Sequence, residues 1–324
     1  MNAVRERNTP PAAAPDAAPA FRLSLAPVPY FWPADRLRRF YRHAADWPVD
    51  IVYLGEVVCS KRRALRRNDW LEIAAELETA GKEVVLSSLT LIESQAELGA
   101  VERDCANGRF TVEANDMAAV HYLSAAGLPF IGGPTLNIYH PRTLAVLAAQ
   151  GMRRFVLPYE LPAEAAAALT AAAPAGVACE VFAWGRLPLA WSARCYSARA
   201  ARKCKDACDL VCATDPDGKV LYSQDGSPFL VINGIQTQSA LTQNLAPALA
   251  ELGQAGVGVL RLGPQSVAMA EIVAAFAALV RGRGAAGTAE RLAALAPLGT
   301  CDGYWHGLAG LATASAGTAA LAGL

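Results

Sequence analysis

The cysteines are the residues of this sequence whose number and spacing point most directly to chemistry. The chain has eight of them, and four lie in one polar stretch, at Cys195, Cys204, Cys208 and Cys212. The last three recur at intervals of four residues, which on a helix would place their thiols on one face. Buried apolar cysteines are common, but four within eighteen residues of a Lys/Arg-containing segment do not fit a core. The spacing therefore predicts a site at which thiolates hold a metal centre.

Two kinds of metal centre fit this set of thiols. The first twenty residues are Pro/Ala-rich and interrupted by charge, with no apolar stretch typical of a secretion signal, so we expect a cytoplasmic protein. In a reducing compartment thiols are ligands, catalytic groups or buried apolar groups rather than disulfides. A Cys₄ zinc site usually has paired Cys-x-x-Cys knuckles, whereas the gaps here are three residues, which favours a polynuclear cluster. From the residues alone, zinc and an iron–sulfur cluster both stay open.

The elements that must position these thiols alternate between strand and helix. Apolar runs predict strands at Leu23–Val28, Asp50–Leu54, Glu83–Ser87, Phe110–Glu113, Pro129–Gly132, Arg154–Leu157, Ala178–Ala183 and Val257–Leu262. Strand-then-helix alternation is typical of a parallel sheet, and about eight strands favour a TIM-type (βα)₈ barrel over an open doubly wound sheet. No GxGxxG or GxxxxGK[ST] motif follows a predicted strand. The fold prediction is an α/β barrel with a cysteine-rich insertion, Ala193–Ser227, after a late strand.

Helix signals fill most of the gaps between these strands. They predict helices at Pro33–Asp46, Asp69–Ala80, Asp116–Ala126, Pro141–Gln150, Pro162–Ala173 and Ser266–Arg281. Asp69 and Asp116 are the expected N-caps of their helices. We predict one barrel domain over residues 22–306, a disordered leader over 1–21 and a flexible Gly/Ala-rich tail over 307–324.

The composition limits the functions that the chain can have. A hydrophobic fraction of 53% is enough for a sizeable core. Lys+Arg and Asp+Glu both number 29, and this neutral balance argues against a general nucleic-acid binder. The one basic cluster is Lys61, Arg62, Arg63, Arg66 and Arg67, which we interpret as a solvated face. The uncharged tail has too few leucines to insert into a membrane.

Three sequence segments resemble peptidase family U32 over about residues 22–307, and within it the UbiV-like subunits of oxygen-independent ubiquinone biosynthesis. They are the run CEVFAWGRLPLAWSARCYSAR from Cys179, GEVVCSKR around Cys59, and GYWHG at Gly303–Gly307. The resemblance implies that Cys59, Cys195, Cys208 and Cys212 ligate a [4Fe–4S] cluster. Cys204 departs from that pattern as a fifth thiol and could replace Cys208. The remaining cysteines, Cys105, Cys179 and Cys301, we interpret as structural.

The resemblance also implies a reaction and partners. It implies a heterodimer with a UbiU-like protein, a UbiT-like lipid-binding accessory protein, and O₂-independent hydroxylation of a ubiquinone precursor with prephenate as hydroxyl donor. A U32-type peptidase or hydrolase and a scaffold with a structural metal site are the alternatives, although no HExxH or GxSxG motif is present. For substrate contacts the sequence offers polar residues near predicted strand ends: Glu56, Asn115, Asn137, Glu160 and Glu180.

Overall fold

The computed structural model describes residues 21–314 and contains a closed barrel of parallel strands. The strands of the described residues, inside and outside the barrel, are β1 (Arg22–Leu25), β2 (Ile51–Leu54), β3 (Glu83–Ser87), β4 (Thr111–Ala114), β5 (Phe130–Gly132), β6 (Met152–Val156), β7 (Ala178–Trp191), β8 (Lys219–Tyr222), β9 (Pro228–Asn233), β10 (Gln236–Asn244), β11 (Val259–Leu262) and β12 (Thr300–Cys301). Strands β1 to β7 pair in sequence order, and β11 closes the ring by pairing in parallel with both β7 and β1. The predicted TIM-type barrel is confirmed, with eight strands in the ring.

Helices connect the barrel strands and cover their outer face. They are α1 (Ala34–Asp46), α2 (Arg67–Thr79), α3 (Gln95–Cys105), α4 (Met117–Ala125), α5 (Pro141–Ala149), α6 (Ala163–Ala171), α7 (Tyr196–Ala200), α8 (Leu249–Gln254), α9 (Met269–Val280) and α10 (Thr288–Ala294). In α9 the side chains of Ile272, Val273 and Phe276 are fully buried, as expected for a helix that packs its apolar stripe on a sheet. No helix within residues 21–314 is long and apolar enough to cross a bilayer.

The helix caps confirm one sequence prediction and correct another. The Asp116 carboxylate accepts a hydrogen bond from the backbone N–H of Ala118 (2.7 Å), so it caps α4 as predicted. Asp69 is not the N-cap of α2, because the backbone stays extended only up to Arg66. Asp69 instead lies in the first turn, where its carboxylate accepts the Arg66 backbone N–H at 2.7 Å. From that position the carboxylate still accepts a backbone N–H at the start of the helix, and its negative charge interacts favourably with the positive end of the helix dipole.

Helix α3 was not predicted, although its start has a readable signal. The Ser94 hydroxyl accepts from the backbone N–H of Glu97 (3.3 Å) and caps the helix. A Ser followed three residues later by Glu is the capping-box pattern that marks a helix N-terminus.

The largest departure from the sequence prediction is the length of β7. The predicted strand ends at Ala183, but β7 is 14 residues long and extends to Trp191. It leaves the barrel at Gly185. Its outer half pairs antiparallel with β10, so that Gln236 lies opposite Trp191, and β10 pairs in turn with β9. Gly185 has φ +130°, a backbone conformation that favours glycine, which lets the strand change direction there. The insertion after β7 is therefore an antiparallel sheet plus the cysteine-bearing turns.

The predicted leader falls almost wholly, and the predicted tail partly, outside the described residues. Of the leader, residue 21 alone is described, and of the tail residues 307–314 are described. The described part of the tail returns to the barrel, where the backbone N–H groups of Asp302 and Gly303 donate to the carbonyl of Ala312.

Candidate functional site

Burial divides the eight cysteines into three groups. Cys59, Cys195, Cys208 and Cys212, the four expected ligands, are half-buried, whereas Cys204 is exposed. The three cysteines interpreted as structural, Cys105, Cys179 and Cys301, are buried. Burial raises the pKa of the Cys105 and Cys301 thiols to about 12, so both are neutral, inert apolar groups near pH 7.

Loops from different parts of the chain bring the four half-buried thiols to the same side of the barrel. Cys59 lies in the loop after β2, which ends at Leu54 as predicted. Cys195 follows β7, and its Sγ accepts from the backbone N–H of Ala198 at 3.4 Å. Cys208 directly follows the short 3₁₀ turn 205–207, and Cys212 lies within a second one, 211–214.

The prediction that Cys204, Cys208 and Cys212 share one helix face is wrong. Asp209 and Leu210 have φ of 47° and 52°, a left-handed conformation that interrupts any right-handed helix between Cys208 and Cys212. Leu210 also precedes the second 3₁₀ turn directly. The regular spacing in sequence therefore does not produce a regular spacing on a helix surface.

Cys59 and Cys195 share one packing environment, and the charges of other thiols affect the pKa values of Cys59 and Cys212. Cys59 and Cys195 pack against one apolar patch formed by Val57, Val58 and Ile235. Burial is the largest reason that the pKa of Cys59 is raised, and a charge on Cys195 raises it further. Burial likewise raises the pKa of Cys212, with contributions in the same direction from Cys195 and Cys208.

The donor set suits a thiolate-bound centre, but its present arrangement does not close around one point. Four half-buried sulfur ligands beside cationic side chains fit the chemistry of an iron–sulfur cluster or of zinc. Within residues 21–314, however, no three His, Cys, Asp or Glu side chains converge closely enough to hold a metal ion as placed. Occupation would thus require the thiols to lie closer together than they do here.

Arg62 is a site residue that the sequence prediction missed. Its guanidinium donates to the carbonyl of Pro29 and to Oδ1 of Asn233, both at 2.7 Å, so it links the β1 and β2 loops to the insertion. Burial raises the pKa of the Cys212 thiol, and the positive charge of Arg62 opposes that rise. Arg62 is only 4% exposed, so the predicted solvated basic face is wrong at this position. A run of basic residues does not reveal which member turns inward.

The neighbouring lysines join the cysteine-bearing turn to the barrel. Lys61 Nζ donates to Asp206 Oδ1 (2.7 Å) and to the carbonyl of Lys205 (2.9 Å). Lys205 in turn forms an ion pair with Glu93, in the loop before α3. These contacts hold the insertion against two barrel loops.

A pocket lies at the carboxyl ends of the barrel strands. Glu113 and Arg261 line its floor, and its walls are largely proline and aromatic side chains, including Tyr159 and Phe182. Val57 and Trp191 line this pocket and also belong to the patch against which Cys59 and Cys195 pack. Mouths of this kind hold the active sites of barrel enzymes, and here one wall is shared with the thiols.

A buried network of charges supports the pocket floor. Glu180 accepts from Arg261 Nε (2.7 Å), from the Tyr53 hydroxyl (2.6 Å) and from the Ser24 hydroxyl (2.6 Å). Arg154 Nε lies 3.0 Å from the same carboxylate, and Arg261 also pairs with Glu113 at 2.7 Å. Burial alone would raise the pKa of Glu180, but the two guanidiniums outweigh it and hold that pKa below its ordinary value.

The structure places the five nominated substrate contacts in different environments. Asn115 lines the pocket. Glu56 instead shapes the Cys59 loop, since its carboxylate accepts the backbone N–H groups of Val58 and Cys59 at 3.0 Å, and burial raises its pKa to about 7. Asn137 and Glu160 are exposed. Glu180 is fully buried in the network below the floor rather than at a strand end.

Comparison with known proteins places the chain in a family. The sequence profile of peptidase family U32 matches residues 34–276, well over half of the chain. Among solved structures, the U32 peptidase Mk0906 is 12% identical, with a TM-score of 0.43 over 78% of this chain and 96% of that one. The spore cortex-lytic enzyme SleL of Bacillus cereus is 11% identical, with a TM-score of 0.39 over 82% of this chain and 75% of the other. The chain belongs to peptidase family U32.

Proposed function

We propose that this chain is a UbiV-like iron–sulfur subunit that supports oxygen-independent hydroxylation in ubiquinone biosynthesis. The observation that carries the proposal is the placement of two expected ligands, Cys59 and Cys195, on an apolar patch that borders the barrel-mouth pocket. Cys59, Cys195, Cys208 and Cys212 would hold a [4Fe–4S] cluster, with Cys204 left in solvent. The motifs around Cys59 and Cys179–Cys195 support the subfamily, and family membership is consistent with it.

The side chains around the thiols suit an anionic centre. When bound, the cluster would supply one-electron chemistry next to the pocket. The positive charge of Arg62 favours the thiolate form of Cys212 over the thiol. The Glu56 carboxylate fixes the Cys59 loop through two backbone N–H groups. Val57 and Trp191 line the pocket and also belong to the patch that holds Cys59 and Cys195. A ligand in the pocket would therefore lie within one side-chain layer of these two thiols.

The proposed reaction needs partners and two small molecules. We propose a heterodimer with a UbiU-like protein, aided by a UbiT-like lipid-binding accessory protein that delivers the ubiquinone precursor. Prephenate is the proposed hydroxyl donor. The motif resemblance to UbiV-like subunits supports these assignments.

The metal content can be tested with a matched control in the same segment. We expect protein purified without oxygen to contain iron and acid-labile sulfide, and Cys59→Ala and Cys212→Ala each to lose most of both. Cys204→Ala should retain them, because that thiol is exposed. Iron analysis and electron paramagnetic resonance of the three variants measure this. Zinc without iron after anaerobic reconstitution, or equal iron loss in Cys204→Ala, would contradict the ligand assignment.

The biological role needs a separate assay. Co-expression with a UbiU-like protein should allow the two to co-purify, and a bacterium that lacks its own UbiV-like gene should regain anaerobic ubiquinone synthesis with this chain. Cys59→Ala should fail to restore it, whereas Cys204→Ala should succeed. Protein cleavage by the purified chain that persists in Cys59→Ala would favour the hydrolase alternative instead.

A further inference from the structure

Buried polar atoms without a partner collect around the barrel-mouth pocket. Within the described part of the chain, Arg261 Nη2, Trp191 Nε1 and Gln238 Oε1 are shielded from solvent and form no hydrogen bond with the protein. All three residues line the pocket. Arg261 is 3% exposed and Gln238 is 1% exposed. An unpaired buried donor or acceptor destabilises the folded protein, so three at one pocket indicate that a ligand or solvent completes them.

The charges at the pocket leave one positive charge without a balancing carboxylate. Glu113 is the acidic residue among the described lining residues, and it pairs with Arg261. Arg186 also lines the pocket, and no carboxylate of residues 21–314 lies within ion-pair distance of it. Its Nη1 donates to a neutral group, the backbone carbonyl of Asp217. The pocket therefore presents one guanidinium that a bound anion can neutralise.

The rest of the lining suits an apolar or ring-shaped body. Pro27, Pro134 and Pro188 and the ring of Phe182 form much of the wall. Burial raises the pKa of Tyr30 to about 12, so this lining tyrosine is neutral near pH 7 and does not repel an anion.

From these observations we propose that the barrel-mouth pocket binds a small acid through one carboxylate, held between Arg261 Nη2 and Arg186. Trp191 Nε1 donates to the same carboxylate or to an adjacent oxygen, and a hydroxyl of the ligand bonds the Gln238 amide. Because an amide can accept or donate at this position, a hydroxyl satisfies it in either orientation. This inference rests on the proposed function for the kind of acid and deepens it by assigning the residues that hold the carboxylate; no cysteine lines the pocket, so acid binding does not itself need the cluster.

Matched acids and amides test the proposal on the full chain. We would titrate 4-hydroxyphenylacetate, phenylpyruvate and 3-phenyllactate, each against its uncharged amide, by isothermal titration calorimetry and saturation-transfer NMR. At least one acid should bind saturably, about tenfold or more tighter than its amide, because a charge-assisted pair is lost in the amide. Arg186→Gln should remove that preference, and Trp191→Phe, which keeps the ring and loses Nε1, should weaken the acid several-fold. Arg153→Gln, an exposed arginine at the opposite end of β6, should bind as the wild type does.

Several results would overturn the proposal. They are no saturable binding by any of the acids, equal binding of acids and amides, or acid binding that neither Arg186→Gln nor Trp191→Phe alters. Thermal melts of each variant show that it is folded before it is titrated. Iron analysis of each titrated sample keeps the two proposals separate, because acid binding that is independent of iron content supports the ligand site without bearing on the cluster.

Discussion

Replacing Glu180 with Gln should destabilise the barrel far more than any exposed carboxylate replacement, because Glu180 balances two buried guanidiniums. The wild-type network pairs Glu83, Glu113 and Glu180 with Arg22, Arg154 and Arg261, so its charges cancel. Glu180 is 0% exposed, and Arg154 and Arg261 are 7% and 3% exposed. Glu180→Gln keeps the shape and leaves a net positive charge in the barrel interior.

The expected loss follows from the burial of that charge. Removing one partner of a buried, hydrogen-bonded ion pair costs about 3–5 kcal/mol, mostly through the charge that stays behind. We therefore expect a loss of about 3–5 kcal/mol in the free energy of unfolding. Adding Arg154→Met restores the charge balance, so the double variant should be more stable than Glu180→Gln alone.

The effect should also depend on pH in a defined direction. The folded-state pKa of Glu180 is lowered, so its stabilisation is fully present above the unfolded-state pKa of about 4.3 and is lost as the pH falls through the folded-state pKa. The difference in stability between wild type and Glu180→Gln should be constant from about pH 6 to 8 and should shrink below about pH 4.

Urea unfolding followed by circular dichroism at several pH values measures both effects. Glu164→Gln, an exposed carboxylate on α6, is the control and should change stability by less than about 0.5 kcal/mol. A Glu180→Gln loss below about 1 kcal/mol, or a double variant less stable than the single one, would refute the charge-balance reasoning.

Three further substitutions test how the site is built. Arg62→Met removes the bonds of Arg62 to Asn233 and to the β1 loop, so the free energy of unfolding should fall by about 2–4 kcal/mol. Amide hydrogen exchange should rise mainly in residues 192–235. A uniform rise in exchange across the chain would argue that Arg62 does not hold the insertion against the barrel. Gly185→Ala should cost about 1–3 kcal/mol in urea unfolding, because φ is +130° and a Cβ would lie 2.7 Å from the Phe182 ring; an unchanged midpoint would show that the strand bends elsewhere. Asp116→Ala should cost about 1 kcal/mol through the lost cap, while Asp116→Asn should restore most of it.

Local patterns in the sequence were sufficient for the barrel. Each of the eight ring strands overlaps a predicted strand, and each predicted helix starts and ends near an observed one. This worked because short apolar runs bounded by glycine, proline and helix caps report on backbone conformation locally. The α3 helix was missed although its Ser94 and Glu97 form a readable start signal.

The long β7 strand could not be read in the same way. Residues 184–191 extend because they pair with β10, about fifty positions later in the chain. Strand preference depends on such distant neighbours more than on the residues themselves. The spacing of Cys204, Cys208 and Cys212 was misleading for a related reason, because the turn at Asp209 and Leu210 is set by how the insertion packs.

The sequence by itself determined the barrel, the number of thiols and their family pattern. Tertiary structure alone decided which polar residues face inward, since Arg62 turns from a basic run into the core, and Glu180 and Arg261 point from apolar strand segments into a shared network. A charged residue within an apolar strand segment indicates a buried partner of opposite charge, but the sequence does not show which residue that partner is. Closure of the barrel decides the partner, because it brings side chains that are far apart in sequence within hydrogen-bonding distance. Burial of an unpaired charge is strongly destabilising, so such charges are buried as pairs.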